Sequence, residues 1–256
     1  MFAICLLTFQ PSTIWLKFLA SLTSNKKYKI FVIVDDNEFN IQSLETEWSD
    51  FTFLKIKESA CTEAGMGIMN PVIPRDHERP SAWNKACYYF SYININFENI
   101  WFIEDDVFIP NYHIIFDIDT KYINYDLLVP SNNINNTGSL EGWVWWKTIP
   151  DYIQIPWAHS MVCACRINQK ILLILKDFAI KHKNKNGLLF IEFIFNTLAL
   201  HHSLKVNAIA ELSCIKAVKS WGISEIQNNY LYHPVKSIEH HEKWRRIISS
   251  HPYMAL

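Results

Sequence analysis

Short apolar blocks separated by polar segments dominate the first hundred residues of this chain. Two of the blocks, at 2–7 and 28–34, contain no Gly or Pro, which is typical of strands buried on both faces of a parallel sheet. Between them, Pro11 opens a segment in which apolar residues recur every three or four positions, so it predicts an amphipathic helix. A strand, a helix and a second strand in this order predict a parallel pair joined by a right-handed crossover.

A third apolar run, at 100–103, leads directly into the acidic triplet Glu104–Asp106, and the second strand leads into Asp35 and Asp36. Parallel strands end at a common edge, and ligands of open α/β sheets bind at that edge. Adjacent carboxylates repel one another unless a cation or hydrogen-bond donors hold them, and Mg²⁺ and Mn²⁺ favour oxygen ligands. The pattern therefore predicts a divalent cation here; the alternative is that the triplet is a solvated start of a loop.

The rest of the chain continues the alternation of apolar runs and amphipathic segments. Ser81 can cap a helix at 81–90 that leads into the third apolar run. Further strands are predicted at 51–56, 125–130, 157–167 and 204–209, and further helices at 168–181, at 188–200 and near the C-terminal end. This order predicts an α/β fold over residues 1–256, with one Rossmann-like, mostly parallel central sheet flanked by helices.

Composition narrows the class of protein. The 256 residues are 50% hydrophobic and 14% aromatic, which is enough for a large core and argues against disorder. The net charge of -1 provides no basic field, so nucleic acid is not an expected partner. No stretch of about 18 apolar residues occurs, and no basic region precedes Phe2–Leu7. The sequence thus predicts no membrane span, no signal peptide and a cytoplasmic location.

Six cysteines are present, and none belongs to a C-x-x-C pair. Most lie in apolar surroundings, so we expect reduced thiols in the core. Cys163 and Cys165 alternate as strand residues do and lack a second pair, so no zinc site is predicted from them.

Together these features resemble the GT-A fold of glycosyltransferases that use nucleotide-sugar donors. The resemblance rests on the first strand and its helix, on Asp35 and Asp36 after the second strand, and on the helix at 83–90 with basic residues before it. It rests above all on Glu104–Asp106, which is similar to the family's D-x-D motif with Glu in the first place.

The resemblance implies roles for the acidic residues. Asp106 is expected to bind the divalent metal, Mn²⁺ or Mg²⁺, with Glu104 and Asp105 in support. Asp35 or Asp36 is expected to meet the nucleoside of the donor. Residues 1–110 would then form the donor half, and 111–256 the acceptor half with the C-terminal tail.

Basic residues near this edge are candidates for binding the donor's diphosphate, because negative charge builds on that leaving group. Arg75, Arg79 and Lys85 lie in or just before the helix at 83–90, and the alternative for each is an ordinary charged surface. The resemblance further implies that a late histidine, here His233, is a metal ligand, whereas a loop histidine is more often a surface residue.

Transfer with inversion of configuration needs a base that takes the acceptor's proton. Glu192 is the leading candidate, because a lone acid in the apolar run 188–195 is costly to bury without a function. The alternative places it on the exposed stripe of an amphipathic helix. Asp151 is the second choice, and a retaining mechanism would need no such base.

Aromatic residues of the second half are candidates for the acceptor site. Trp143 and Trp145, with Trp146 beside them, can stack on the apolar faces of sugar rings, or can pack on the two faces of a core strand. His159 is expected near the same cleft.

The leading hypothesis is a metal-dependent, hexosyltransferase-like enzyme that moves a sugar from a nucleotide-diphosphate sugar, of which a UDP-sugar is our first choice, to a saccharide or glycan. One alternative is a nucleotidyltransferase, but such enzymes commonly carry a Gly-rich loop after the first strand, and residues 7–11 contain no Gly. Another is a non-catalytic carbohydrate-binding module, which the ten tryptophans favour. A binding module of this kind would not explain why two strands end in acidic residues.

Overall fold

The computed structural model describes residues 1–23, 27–67, 79–149, 151–183 and 190–250. The strands are β1 (Phe2–Thr8), β2 (Tyr28–Val34), β3 (Phe51–Leu54), β4 (Asn99–Glu104), β5 (Leu127–Val129), β6 (Asn133–Asn135), β7 (Trp157–His159), β8 (Ala164–Asn168) and β9 (Val206–Ala208). The α-helices are α1 (Thr13–Thr23), α2 (Gln42–Glu47), α3 (Glu58–Glu63), α4 (Ala82–Tyr88), α5 (His113–Lys121), α6 (Gln169–His182), α7 (Ile191–His201) and α8 (Ile238–Ser250).

A seven-stranded sheet with the order β3-β2-β1-β4-β8-β5-β9 forms the centre of the fold. Every neighbouring pair is parallel except the two pairs made by β8, which runs antiparallel to both β4 and β5. Strands β6 and β7 form a separate antiparallel ribbon. The predicted α/β fold with a mostly parallel sheet flanked by helices is confirmed.

Both faces of the sheet are covered, as the unbroken apolar runs predicted. On β1, Ala3, Cys5 and Leu7 point into one core, to which α4, α6 and α7 also contribute. The alternate residues Phe2, Ile4 and Leu6 point into a second core with α1 and α5. The longest described helix has 14 residues, and none of the described helices has both the length and the apolar character that a membrane span requires.

The strand register brings the acidic segments together. Leu7 pairs with Glu104 on one side of β1, and Thr8 pairs with Val34 on the other. Beyond the strand ends, the backbone N–H of Asp35 donates to Thr8 O (2.9 Å) and that of Asp105 donates to Leu7 O (3.1 Å). The prediction that both acidic segments lie at one edge of the sheet is confirmed.

Two predicted elements are wrong. The run at 157–167 is not one strand, because the chain leaves the β6–β7 ribbon at Ser160, whose N–H donates to Glu192 O (2.8 Å), and enters the main sheet only at Ala164. The tryptophan-rich segment is not a strand either. Val144–Thr148 forms a 3₁₀ turn in which Trp146 N–H donates to Trp143 O (3.1 Å), so the interpretation of alternating strand faces fails.

Candidate active site

The three acids after β4 point in different directions. Thr8 donates its hydroxyl proton to the Asp105 carboxylate, and the indole N–H of Trp15 donates to the Asp105 carbonyl (2.6 Å). Glu104 accepts a hydrogen bond from the indole N–H of Trp83 (2.6 Å). Asp105 is therefore held by β1 and α1, whereas Glu104 and Asp106 face a common space beside the segment 231–235.

That segment places His233 against the two acids. Phe108 and Tyr232 exchange backbone hydrogen bonds (2.8 and 3.0 Å), and Val235 N–H donates to Asp106 O (2.7 Å). These bonds hold His233 Nε2 at 3.2 Å from Asp106 Oδ1 and 3.9 Å from Glu104 Oε2. The side chain of His233 is only 8% exposed, so its position is fixed by its surroundings.

The other ring nitrogen of His233 sets the tautomer. Nδ1 lies 2.7 Å from the carbonyl of Lys216, and a carbonyl can only accept, so Nδ1 carries the proton. In the neutral ring, Nε2 then has a free lone pair that points toward the acids. A carbonyl that orients the distant ring nitrogen is the usual outer support of a metal-binding histidine.

Asp106 and Glu104 repel each other in this cluster, and His233 offsets part of that repulsion. Burial, and then the charge of Asp106, raise the pKa of Glu104 and Asp105 although hydrogen bonds from Trp83 and Thr8 oppose the rise. Burial alone would lower the pKa of His233, but the Asp106 and Glu104 carboxylates outweigh it and raise that pKa.

A divalent cation fits this arrangement. Asp106 Oδ1 is buried and forms no hydrogen bond with the described residues, although His233 Nε2 lies 3.2 Å away. Two ligand atoms at about 2.1 Å from one ion and at right angles to each other are roughly 3 Å apart. The separation between Asp106 and His233 matches that geometry, and the carboxylate and imidazole donors suit Mn²⁺, with Mg²⁺ bound mainly through the carboxylates.

Asp35 is fully engaged within the protein. Its Oδ1 contacts Lys85 Nζ (2.7 Å), its Oδ2 contacts Arg79 Nη2 (3.1 Å), and Arg79 also pairs with Glu58 (3.0 Å). Lys85 has no exposed side-chain surface, whereas Arg79 is 40% exposed. The prediction that Lys85 binds the diphosphate is therefore wrong, because its ammonium group is buried and already pairs with Asp35. The side chain of Arg79 remains partly exposed to solvent. Arg75 lies outside the described residues.

Asp36 differs from its neighbour. Its carboxylate accepts hydrogen bonds from Gln10 Nε2 (2.6 Å) and from Glu38 N–H (2.9 Å), and these donors lower its pKa. It lies at the same edge of the sheet, near the solvent. Of the two acids after β2, Asp36 is the one that stays accessible to a ligand.

Glu192 lies in the first turn of α7, close enough to the acidic cluster to feel the charge of Glu104. Burial, and then the charge of Glu104, raise its pKa to about 7, and His233 opposes that rise. The group is half-buried, so it does not lie on an exposed helix stripe. Asp151, by contrast, is exposed, and no hydrogen bond or ion pair links it to the cluster within the described ranges.

The predicted acceptor residues come together next to Glu192. Trp143 stacks on His159 with ring centroids 4.1 Å apart and planes 7° apart, and Phe190 lies near both Trp143 and Trp145. Burial lowers the pKa of His159 to about 4, so the ring is neutral at pH 7. Trp143, Trp145 and His159 are all half-buried and retain accessible edges.

Several residues of the site carried no signal in the sequence. Trp83 binds Glu104, and the thiol of Cys163 lies in one group with Glu104 and His233, with all ligand atoms within 4.8 Å of one another. Cys163 comes close only because β8 is antiparallel to β4. A cleft of about 340 Å³ between α6 and α7 contains none of these residues.

Comparison with known proteins yields no match to a protein-family model and no match among curated proteins. Solved structures with similar backbones include 4-diphosphocytidyl-2C-methyl-D-erythritol synthase from Anaerococcus prevotii, with a TM-score of 0.42 and 8% identity over 80% of this chain and 86% of that one. Mouse xyloside xylosyltransferase 1 in its apo form has a TM-score of 0.38 and 10% identity over 81% of this chain and 84% of that one. Similarities this low say nothing about the activity of this chain.

Proposed function

We propose that the protein is a divalent-metal-dependent glycosyltransferase that moves a sugar from a nucleotide-diphosphate sugar to a saccharide or glycan acceptor. One observation carries the proposal. Glu104, Asp106 and His233 converge at the carboxyl end of parallel strands, and Asp106 presents a buried oxygen that accepts no hydrogen bond within the described residues and lies 3.2 Å from His233 Nε2. A UDP-sugar is the first donor to test.

The acids and the histidine have a direct role in this proposal. Asp106 and His233 would hold Mn²⁺ or Mg²⁺, with Glu104 beside them, and the cation would offset the charge that builds on the leaving diphosphate. Asp36, at the end of β2, would meet the nucleoside. Asp105 keeps the turn after β4 in place through its bonds to Thr8 and Trp15.

The basic side chains that bind the diphosphate must be ones other than Lys85. Lys216 lies beside His233 through backbone pairing of their two segments, and Lys236 follows His233 by three positions in the chain. Both lysines are exposed, and neither forms an ion pair within the described part of the protein. Val235, next to Lys236, donates its N–H to Asp106, so this backbone is fixed at the metal-binding acids. Both lysines are thus available to a diphosphate at this edge.

Glu192 is the proposed base. A carboxylate whose pKa is raised to about 7 is a stronger base than an ordinary glutamate and titrates near neutral pH. The acceptor hydroxyl would lose its proton to Glu192 as it attacks the anomeric carbon. The aromatic cluster of Trp143, Trp145 and His159 would orient the acceptor sugar beside it.

A thermal-shift screen tests the proposal and its alternatives. With Mn²⁺ present, we expect UDP or GDP to raise the melting temperature, because a ligand at a hundred times its dissociation constant adds about 2.7 kcal/mol of stability. The Asp106→Asn variant should lose this shift. Asp117→Asn, a change on the exposed side of α5, is the matched control and should retain it.

The other outcomes identify the other functions. Stabilisation by CTP or ATP without any effect of UDP or GDP would make the protein a nucleotidyltransferase. Stabilisation by free sugars in the presence of a chelator, with no effect of nucleotides, would make it a carbohydrate-binding module. A UDP shift of equal size in the wild type and in Asp106→Asn would refute the metal role of Asp106.

A further inference from the structure

Cys163 occupies an unexpected place beside the acidic cluster. Strand β8 pairs antiparallel with β4, with Ile103 opposite Ala164, so the next position places Cys163 opposite Glu104. The N–H of Glu104 donates to Cys163 O (2.9 Å), which confirms that the pairing extends to this point. Residues that face each other across an antiparallel pair carry their side chains on the same face of the sheet.

The thiol, the Glu104 carboxylate and the His233 imidazole form a mixed set of ligands. Their ligand atoms all lie within 4.8 Å of one another. The ligands of a tetrahedral zinc ion are roughly 3.3–3.8 Å apart, given bonds of about 2.0–2.3 Å, so closure requires side-chain movements of about 1 Å. Asp106 is not part of that group, but its buried oxygen lies 3.2 Å from His233 Nε2, so a side-chain movement can bring it to the same ion as a fourth donor.

We infer that Cys163 is a conditional ligand of this centre, and that the site binds Zn²⁺ or Co²⁺ through sulfur, nitrogen and oxygen. The inference rests on the proposed metal role of Asp106 and His233, and it adds that the site distinguishes between metal ions. Mg²⁺ demands oxygen ligands in an octahedron, so with that ion the thiol stays protonated and uncoordinated. A softer ion recruits the sulfur, and the thiol proton passes to solvent.

The consequence is a cation-dependent switch between an open and a closed centre. Four protein ligands on one ion leave no position for a substrate oxygen, as in structural zinc sites. Zn²⁺ held by Cys163, Glu104, Asp106 and His233 would therefore exclude the diphosphate that Mn²⁺ or Mg²⁺ admits. The absence of a C-x-x-C pair does not argue against such a site, because the fold and not local spacing assembles it.

Titration with Co²⁺ alone tests the inference by absorption spectroscopy. In the wild type we expect visible d–d bands together with a near-ultraviolet sulfur-to-cobalt charge-transfer band. The Cys163→Ser variant should keep d–d bands, lose the charge-transfer band, and bind Co²⁺ at least tenfold more weakly. Cys214→Ser is the matched control, because it removes a half-buried thiol outside the ligand group, and it should retain the charge-transfer band.

A second measurement uses only the wild-type protein, so it does not depend on whether a variant folds. X-ray absorption at the zinc edge of the Zn²⁺-loaded wild type should contain a sulfur shell at about 2.3 Å. A shell of nitrogen and oxygen alone would overturn the inference. So would cobalt d–d bands that vanish in Asp106→Asn while no sulfur band ever forms, and that result would leave the proposed function standing. Absence of any cobalt binding would also overturn the inference, whereas the nucleotide screen with Mn²⁺ judges the proposed function separately.

Discussion

Two carboxylates lie beside strand β4, and the protein surrounds them in opposite ways. Asp119 accepts hydrogen bonds from Arg166 Nη1 (2.9 Å), Trp101 Nε1 (3.1 Å) and the hydroxyl of Tyr28, and both members of its ion pair have no exposed side-chain surface. Asp106, just after β4, has a buried oxygen that accepts no hydrogen bond within the described residues, although His233 Nε2 lies 3.2 Å away, and a second acid, Glu104, lies nearby.

The difference separates a structural role from a ligand-binding role. Arg166 also donates to the carbonyls of Tyr122 (2.7 Å) and Tyr125 (2.9 Å), so the Asp119 network fastens the end of α5 to the sheet. All the hydrogen bonds that Asp119 needs come from the protein itself. Asp106 and Glu104 instead leave electrostatic repulsion that a cation would relieve.

The largest effect on stability should come from the Asp119 network. Asp119→Ala leaves Arg166 buried and unpaired, which should cost about 3–5 kcal/mol of unfolding free energy. Urea denaturation measures this loss. Asp117→Ala, on the exposed side of the same helix, should change the unfolding free energy by less than about 0.5 kcal/mol. Equal effects of the two variants would show that the Asp119 network does not hold α5.

A smaller loss is expected at Asp35, where two cations share one acid. Lys85→Met removes the fully buried cation but leaves Arg79, so we expect a loss of about 2 kcal/mol. Arg79→Met removes the cation that is 40% exposed and should cost less than about 1 kcal/mol, because solvent screens that pair. The order of the two losses in urea denaturation is the result that matters, and the reverse order would contradict the burial argument.

Glu192 should show a stability effect that depends on pH. Its folded-state pKa of about 7 exceeds the ordinary value of 4.5, so the folded protein binds more protons between these values and loses stability as pH rises through that window. Glu192→Gln should therefore match the wild type near pH 5 and exceed it by about 2 kcal/mol at pH 8.

The control for that profile is Glu47→Gln on the exposed face of α2, which should produce no such divergence. Turnover gives a second readout. The wild-type rate should rise with pH through about 7 as Glu192 loses its proton, and Glu192→Gln should lose turnover but keep nucleotide binding. Full activity of Glu192→Gln would remove it as the base.

The smallest effect on stability is expected at Asp106. In the absence of metal, Asp106→Asn removes a charge that is repelled by Glu104 but also one that attracts His233, so the unfolding free energy should change by less than about 1 kcal/mol. Calorimetry in a chelating buffer measures this difference. A loss as large as that of Asp119→Ala would assign Asp106 a structural role instead.

Local sequence patterns were enough to predict the strands and helices that depend mainly on nearby residues. The apolar runs and the amphipathic spacing between them predicted β1, α1 and β2, because parallel strands buried on both faces need such runs. The acids that follow β2 and end β4 predicted the edge of the sheet at which the candidate site lies. Position along a strand was enough for that inference.

The remainder depends on pairing between distant segments. The antiparallel insertion of β8 brings Cys163 to Glu104, and no spacing in the chain encodes that register. Likewise, Lys85 could be recognised as a basic residue near the site, but its burial against Asp35 depends on how α4 packs on β2. Asp106 and Asp119 are the same residue type, and only the donors around each one separate their roles.

The most direct test of the central claim is the coupling between Mn²⁺ and UDP, measured by isothermal titration calorimetry. We predict that Mn²⁺ tightens UDP binding at least tenfold in the wild type, which corresponds to about 1.4 kcal/mol, and that Asp106→Asn and His233→Ala bind UDP equally well with and without Mn²⁺. The same tightening by Mn²⁺ in all three proteins, or none in the wild type, would contradict the assignment of Asp106 and His233 as ligands of a catalytic cation.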